Sequence, residues 1–252
     1  MRLNNKTAIV TGAASGMGKA IAHMFAKEGA SVIVLDLNET GVNETVKDIQ
    51  GEGGKAEGIS VDLSREGVIE TIMDKTLQAF GQVDILVNNA GIMDNFKPVG
   101  EATDELWEKV LAINLTAPFK LARAAIRIME KQDKGGVIIN NASVGGLFGA
   151  RGGAAYVTSK HGLIGLTKNI AATYGFMGKI RANAIAPGGV NTNIGNTITD
   201  PSPLGMKAIS SLGEVPMGEP EQIAQLALFL AEEGSGFVNG AVITADGGWT
   251  CR

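Results

Sequence analysis

Short runs of apolar residues alternate along the chain with longer segments in which apolar residues recur at helical spacing. Seven runs are rich in β-branched and small apolar residues and end in polar residues or glycine, which is typical of buried strands. They comprise Thr7–Gly12, Ser31–Asp36, four runs ending at Asp62, Gly91, Ser143 and Gly188, and a last run near Asp246. Helical patterns fill most gaps between them. The alternation predicts an α/β fold in which about seven strands form one doubly wound parallel sheet flanked by helices.

Two segments interrupt this alternation. The first, 148–153 (FGARGG), is predicted to be a loop, and the second, 189–220, is long, polar and rich in proline. Long irregular segments in compact domains are often lids or binding loops, so we interpret 189–220 as a substrate lid. A tolerated surface insertion is the alternative. The chain has no linker or low-complexity tract, and we predict one domain over 1–252.

Composition and charge limit the kinds of molecule that the protein is expected to bind. The 252 residues are 44% hydrophobic and carry a formal net charge of −4, with no evident basic face, so nucleic acid and membrane surfaces are not expected partners. The single cysteine, Cys251, cannot form an internal disulfide. No signal-peptide core and no apolar run of about 18 residues is present, so a cytoplasmic protein is expected. His23 and His161 stand alone, and no metal site is predicted.

A glycine-rich turn, TGAASGMG, follows the first predicted strand and opens the first predicted helix. Gly12, Gly16 and Gly18 lie where a tight turn, a close phosphate approach and helix–strand packing need no side chain. The helix N-terminus offers free N–H groups to a pyrophosphate, as in a Rossmann-type fold. The glycine spacing differs from the usual Rossmann spacing, and a plain glycine-rich turn remains the alternative.

Two acidic residues at strand ends are candidate nucleotide contacts. Asp36 can accept hydrogen bonds from both hydroxyls of an adenosine ribose and would repel a 2′-phosphate. Its neighbours Leu37 and Asn38, and Ala13 in the glycine turn, carry no positive charge, so NAD is predicted rather than NADP. A strand-end or capping role is the alternative for Asp36. For Asp62, contact with adenine and helix capping are equally open.

Tyr156 and Lys160 are four residues apart on a predicted helix and therefore share a face. A tyrosine titrates near pH 10, and a nearby ammonium is expected to lower that pKa, so that the phenol can exchange a proton with an alcohol or ketone. An ordinary helix pair is the alternative. Ser143, beyond the fifth strand, can hydrogen-bond a substrate oxygen, or it can be a turn cap.

Together with NNAG (Asn88–Gly91), YVTSK and PGGVNT (Pro187–Thr192), these motifs make the whole chain resemble the classical short-chain dehydrogenase/reductase family. The resemblance implies that Tyr156 is the proton donor and acceptor and that Lys160 also holds the nicotinamide ribose. It further implies that Ser143 orients the substrate carbonyl and that Asn114 completes the catalytic set. The implied cofactor contacts are Gly12, Ser15, Gly16, Met17, Gly18, Asp36, Asp62, Leu63, Asn89, Ala90, Gly91, Tyr156, Lys160, Pro187, Gly188, Val190 and Thr192.

Asn114 permits a separate argument. In a regular helix its carbonyl would accept a bond from the N–H of residue 118, but Pro118 has no N–H and tends to kink a helix. The Asn114 carbonyl is therefore predicted to be free. The resemblance implies that it holds a water bonded to Lys160.

The leading functional hypothesis is an NAD(H)-dependent oxidoreductase that interconverts a secondary alcohol and a ketone. The apolar residues of the lid suit a hydrophobic or mixed small-molecule substrate. A 3-oxoacyl-thioester reductase is one alternative, and a non-catalytic nucleotide-sensing Rossmann protein is a second, which the complete catalytic set argues against. The family resemblance implies a homotetramer.

Overall fold

A computed structural model describes residues 1–251 of the chain. Nine strands form one sheet of seven and one of two. The strands are β1 (Thr7–Thr11), β2 (Ser31–Asp36), β3 (Lys55–Ser60), β4 (Ile85–Asn88), β5 (Gly136–Asn141), β6 (Ile180–Pro187), β7 (Gly189–Val190), β8 (Met217–Gly218) and β9 (Val242–Ala245). All pairs in the large sheet are parallel, which confirms the predicted Rossmann-type α/β architecture.

The strand order of the large sheet is β3-β2-β1-β4-β5-β6-β9. The chain first moves outward from β1 to β3 and then returns to place β4 on the other side of β1. This reversal opens a crevice beyond the carboxyl ends of β1 and β4, which is where doubly wound sheets bind ligands. The small sheet pairs β7 with β8, one strand at each end of the predicted lid, and it was not anticipated from the sequence.

Helices cover both faces of the large sheet. They are α1 (Gly16–Lys27), α2 (Glu39–Gly51), α3 (Val68–Phe80), α4 (Asp104–Leu111), α5 (Ala117–Met129), α6 (Ala154–Gly175), α7 (Pro203–Ser210) and α8 (Pro220–Ala231). Because side chains alternate along a strand, Val10 packs with Phe25 and Leu228 on one face, and Ile9 packs with Leu121 on the other. Two apolar layers therefore hold the strand ends at fixed positions.

The prediction of buried strands is wrong for much of the edge strand β3. Its Lys55, Glu57 and Ser60 are exposed, and the strand lies at the edge of the sheet. The strand also ends at Ser60 rather than at Asp62, since Asp62 is drawn into a turn with Ser64.

The helical segment that carries Asn114 is not regular. A π-helical turn, Ala112–Thr116, joins α4 to α5, and the Ala117 N–H donates to the Ala112 carbonyl five residues back. The predicted irregularity near Pro118 is confirmed, although it begins before the proline. Such π turns are frequent at functional sites. None of the helices in residues 1–251 combines the length and apolarity needed to cross a bilayer.

Candidate active site

The glycine-rich turn between β1 and α1 borders a cleft of about 230 Å³ at the carboxyl edge of the sheet. Gly12 and Gly16 have φ values of 66° and 52°, in the left-handed region that glycine tolerates. A Cβ on Gly18 would overlap the Gly12 carbonyl oxygen, so helix and strand can approach only at a glycine. The cleft is lined by Gly12, Ser15, Gly16, Met17, Asp36, Asn89, Ala90, Gly91, Thr192, Asn193, Ile194 and Thr197.

The start of α1 suits a nucleotide pyrophosphate. Ser15 precedes the helix without making a side-chain capping bond, and the first turn carries no acidic residue. A Cβ on Gly16 would lie 3.1 Å from the Thr192 side chain, so this gap lacks room for a larger residue. Unpaired N–H groups and the helix dipole at this position attract anions. The residues present therefore fit the phosphates of a dinucleotide.

A hydrogen-bond network holds the strand ends beneath the cleft. The Thr11 hydroxyl accepts from the Asn89 and Ala90 N–H groups at 2.9 and 3.0 Å. The Asn89 amide donates to the Thr11 carbonyl at 2.9 Å and accepts from the Asn141 amide at 2.8 Å. Asn89 thus joins β1, β4 and β5. Sequence reasoning missed Thr11 and Asn141, although both are polar residues at the ends of apolar strands.

The two candidate acids lie in different environments. Asp36 borders the cleft, and its carboxylate accepts from the Ala14 and Asn38 N–H groups at 3.1 and 3.0 Å. Asp62 accepts from both the N–H and the hydroxyl of Ser64, and these bonds hold the pKa of Asp62 below its usual range. Asp62 does not line the cleft, and the predicted helix-capping role is wrong, because Gly67 precedes α3 and Asp62 closes a turn with Ser64 instead. Its contact with adenine stays a prediction.

The remaining predicted cofactor contacts lie in different parts of the structure. Thr192 reaches the cleft, whereas Val190 packs against the apolar core and the Leu63 side chain is buried in the opposite apolar layer. Pro187 ends β6, and Gly188 follows it at the same edge of the sheet. Leu63 does not line the cleft, and its contact with a nucleotide stays a prediction.

Tyr156, Lys160 and Ser143 meet at the N-terminal part of α6. All three are buried, and the Lys160 ammonium donates to the Asn141 carbonyl at 3.0 Å. The Lys160 Nζ lies 5.6 Å from the centre of the Tyr156 ring. A Cβ on Gly145 would lie 3.2 Å from the Tyr156 ring and 3.3 Å from the Ser143 hydroxyl, which places these two side chains side by side.

The predicted lowering of the tyrosine pKa is wrong for the protein alone. Burial raises the pKa of Tyr156 above its ordinary value; the Ser143 hydroxyl opposes this and the Asp94 carboxylate adds to it. Burial also lowers the pKa of Lys160 to about 8. The same loss of water contact disfavours both the Tyr156 phenolate and the Lys160 ammonium. The four-residue spacing of the two side chains could not reveal this effect.

The Asn114 side chain is locked in place. Its oxygen accepts from the Ile92 N–H and its amide donates to the Ile92 carbonyl, both at 2.9 Å, with a further 3.3 Å bond to the Ser159 hydroxyl. The Asn114 oxygen and the Lys160 ammonium lie 3.4 and 3.5 Å from the position of a Cβ on Gly91. Asn114 is therefore adjacent to Lys160, and the availability of its backbone carbonyl stays a prediction.

The burial of Lys160 leads to a prediction about stability and pH. Its folded pKa of about 8 lies below the ordinary 10.5, so the unfolded chain binds more protons between these values. The free energy of unfolding of the wild type should therefore rise with pH across this window. The rise should exceed that of Lys160→Met by about 3 kcal/mol. Denaturant unfolding of both proteins at a series of pH values measures the difference.

Lys168→Met is the matched control, because Lys168 is exposed on the same helix. We expect its unfolding curve to follow that of the wild type at every pH. Parallel pH dependences for the wild type and Lys160→Met would contradict a buried ammonium.

Within residues 1–251 no three His, Cys, Asp or Glu side chains converge on a position that could hold a metal ion. The groups that meet beside the cleft are a phenol, an ammonium, a hydroxyl and side-chain amides.

Comparisons with known proteins agree with this geometry. Residues 12–250 match the family model described as Enoyl-(Acyl carrier protein) reductase. A 3beta-hydroxysteroid dehydrogenase 2 of Eggerthella lenta is 44% identical over 98% of this chain and 96% of its own. A 3-oxoacyl-[acyl-carrier-protein] reductase of Thermotoga maritima is 38% identical over 98% and 99%.

A crystal structure of levodione reductase superposes with a TM-score of 0.91 at 32% identity and covers 100% of both chains. The sheet order, the glycine turn and the Tyr–Lys pair agree with these similarities. The chain belongs to the classical short-chain dehydrogenase/reductase family of oxidoreductases, which bind a nicotinamide nucleotide, NAD or NADP.

Proposed function

We propose that this protein is an NAD(H)-dependent oxidoreductase that interconverts a secondary alcohol and a ketone, with Tyr156 as proton donor and acceptor. The observation that carries the proposal is the juxtaposition of buried Tyr156, Ser143 and Lys160 beside the nucleotide cleft. A phenol and a hydroxyl side by side can both hydrogen-bond one carbonyl oxygen, which orients a ketone for protonation by the phenol.

The proposed proton chemistry follows from this arrangement. When bound, the nicotinamide nucleotide supplies or accepts the hydride. The Ser143 hydroxyl and the Tyr156 phenol orient the substrate oxygen, and the phenol protonates that oxygen during reduction. The raised pKa of Tyr156 keeps the phenol protonated near neutral pH, which is the form that reduction needs. Lys160, whose pKa burial lowers to about 8, is the ionisable group next to the phenol.

The cofactor is proposed to be NAD rather than NADP. Gly12, Ser15 and Gly16 would hold the phosphates at the start of α1, and Asp36 would accept hydrogen bonds from the adenosine ribose. The Asp36 carboxylate is fixed by two backbone N–H groups at the edge of the cleft, which supports this role. A 2′-phosphate at the same position would meet a fixed negative charge.

The segment 189–220 is proposed to be a substrate lid in one domain that spans 1–252. It contains α7, whose Leu204 and Met206 expose apolar surface. Exposed apolar side chains on a lid suit a hydrophobic or mixed substrate, such as a cyclic alcohol or a steroid-like ketone. The hydroxysteroid dehydrogenase among the relatives supports this class.

Reduction of a 3-oxoacyl thioester is the second candidate. The 3-oxoacyl-[acyl-carrier-protein] reductase from Thermotoga maritima among the relatives favours it. An acidic carrier protein would need a basic docking patch, whereas this chain has a net charge of −4. We therefore rank the alcohol/ketone reaction first.

We also propose a homotetramer in the cytoplasm. Trp107 on α4, Phe119 on α5 and Phe229 on α8 are large apolar side chains exposed on helices, and Phe237 is exposed after α8. Burying them between subunits would remove this surface from water. Cys251 is a free thiol, which suits a reducing compartment. Sedimentation at the mass of one chain would contradict the tetramer.

The test of the proposed function is NADH oxidation against a panel of carbonyl compounds, with NADPH measured in parallel. The panel contains steroid ketones, cyclic ketones, diketones, keto-sugars and acyl thioesters. We expect turnover with NADH and an apolar cyclic ketone. Turnover confined to acyl thioesters with NADPH would overturn both the substrate class and the cofactor.

A further inference from the structure

A buried carboxylate outside the family motifs contacts the helix that carries Tyr156. The Asp94 side chain is fully buried in the segment that follows β4. One oxygen accepts from the Gly153 and Phe96 N–H groups at 2.9 and 3.2 Å. The other accepts from the N–H of Tyr156 itself at 2.8 Å. Asp94 therefore bonds directly to the backbone of the proposed proton donor.

This contact replaces a capping residue that α6 lacks. Gly153 precedes the helix and has no side chain to satisfy the first N–H groups. A carboxylate at a helix N-terminus accepts these bonds and interacts favourably with the helix dipole. Because Asp94 comes from another part of the chain, it fixes α6 relative to the carboxyl end of β4. The position of the Tyr156 phenol depends on that link.

The segment around Asp94 is itself held in place by the proposed lid. The Met93 N–H donates to the Thr197 hydroxyl at 3.0 Å, and the Lys97 ammonium contacts the Asp200 carboxylate at 2.9 Å. Asn95 has a φ of 57°, an uncommon conformation for a residue other than glycine. Such a conformation persists where surrounding contacts hold it, and here they place the Asp94 carboxylate under α6.

The link between α6 and this segment does not depend on Asp94 alone. The Ala154 N–H donates to the Lys97 carbonyl at 2.9 Å, and the Asn95 side chain accepts from the Thr199 N–H at 2.8 Å. An Asp94 variant can therefore keep the fold while losing the bond to Tyr156.

We propose that Asp94 is a positioning residue that orients Tyr156 for proton transfer and holds a buried carboxylate against the tyrosine's own backbone N–H. This inference rests on the proposed function for the role of Tyr156, but the placement of the charge stands on the geometry alone. Two charged groups act on the tyrosine: Lys160 on the same helix and Asp94 from the segment after β4. The guanidinium of Arg151, in the loop before α6, lies over the Trp249 ring instead, 4.0 Å from its centre.

The charge of Asp94 gives the inference a distinctive signature. Its carboxylate raises the pKa of Tyr156, so Asp94→Asn should lower that pKa. Alcohol oxidation requires the phenolate, and its pH–rate curve should therefore shift to lower pH in the variant. Because Asn has one acceptor where two are used, misplacement of the phenol should also lower kcat by about tenfold or more.

Asp84→Asn is the matched control. Asp84 is also a buried carboxylate and accepts from the Thr7 N–H at 2.7 Å, but it lies at the opposite end of the sheet. We expect this variant to lose stability without any shift in the pH–rate curve. An unchanged curve in Asp94→Asn, or an equal shift in both variants, would overturn the inference.

A second measurement does not depend on turnover. The chain has two tyrosines, Tyr156 and Tyr174. In a Tyr174→Phe background, the ultraviolet absorbance of phenolate reports the ionisation of Tyr156 alone. Adding Asp94→Asn should move this titration to lower pH, and an unmoved titration would overturn the inference.

Asp94→Glu completes the design if Asp94→Asn folds poorly. It keeps the negative charge but displaces the carboxylate, so turnover should fall while the absorbance titration stays near that of the parent. A Glu variant whose titration moves as far as that of Asn would overturn the inference. If Tyr156→Phe retained activity while the Asp94→Asn titration still moved, the proposed function would fail and the placement of the charge would stand.

Discussion

Tyr156→Phe is expected to lower kcat by about 10²- to 10⁴-fold while nucleotide affinity stays close to that of the wild type. Phenylalanine keeps the ring that packs beside Gly145 and Gly152 and removes only the hydroxyl. The substrate oxygen then has no proton donor, and the neighbouring Ser143 hydroxyl can orient it but has too high a pKa to replace the phenol. Steady-state kinetics and a nucleotide-binding titration on the same preparation separate the two effects.

Tyr174→Phe is the control for this prediction. It removes the other tyrosine hydroxyl of the chain, which belongs to the far end of α6 and packs against the core. We expect its kcat to equal that of the wild type. Retained turnover in Tyr156→Phe would show that another group transfers the proton, and tight nucleotide binding without turnover in the wild type would favour a sensor.

Asp36→Asn is expected to reduce the preference for NADH over NADPH by about 10- to 100-fold. A charged hydrogen bond contributes about 1.5–3 kcal/mol, which corresponds to such a ratio. The substitution removes the charge that would repel a 2′-phosphate and weakens the acceptor for the ribose hydroxyls. The ratio of kcat/KM for the two cofactors with one substrate measures the change.

Asp62→Asn is the matched control, because Asp62 is an acid near the end of the adjacent strand whose carboxylate is committed to Ser64. Loss of the Asp62 charge should change kcat/KM by the same factor with NADH and with NADPH, so that their ratio stays unchanged. A wild type that already binds NADPH more tightly than NADH would contradict the role proposed for Asp36.

Local sequence patterns were sufficient to predict much of the fold and of the candidate site. Strands such as Ser31–Asp36 are encoded by continuous apolar runs, and the glycine turn by residues within eight positions of one another. Tyr156 and Lys160 share a helix face because four residues span about one turn. Each of these features depends on neighbours in sequence, so the sequence alone determined the architecture and the principal candidates of the site.

Contacts between distant segments decided the rest. Asp94 reaches the N–H of Tyr156 across 62 positions, and Asn141 reaches Asn89 across 52. No local periodicity encodes such pairs, because they exist only once the strand order has brought the segments together. The direction of the Tyr156 pKa was decided in the same way: the spacing to Lys160 predicts an attraction, but desolvation depends on every element packed around the phenol. The sequence by itself indicated the principal groups of the site at the carboxyl edge of the sheet. Only the tertiary structure determined which further groups join them, how deeply they are buried and which backbone groups hold them.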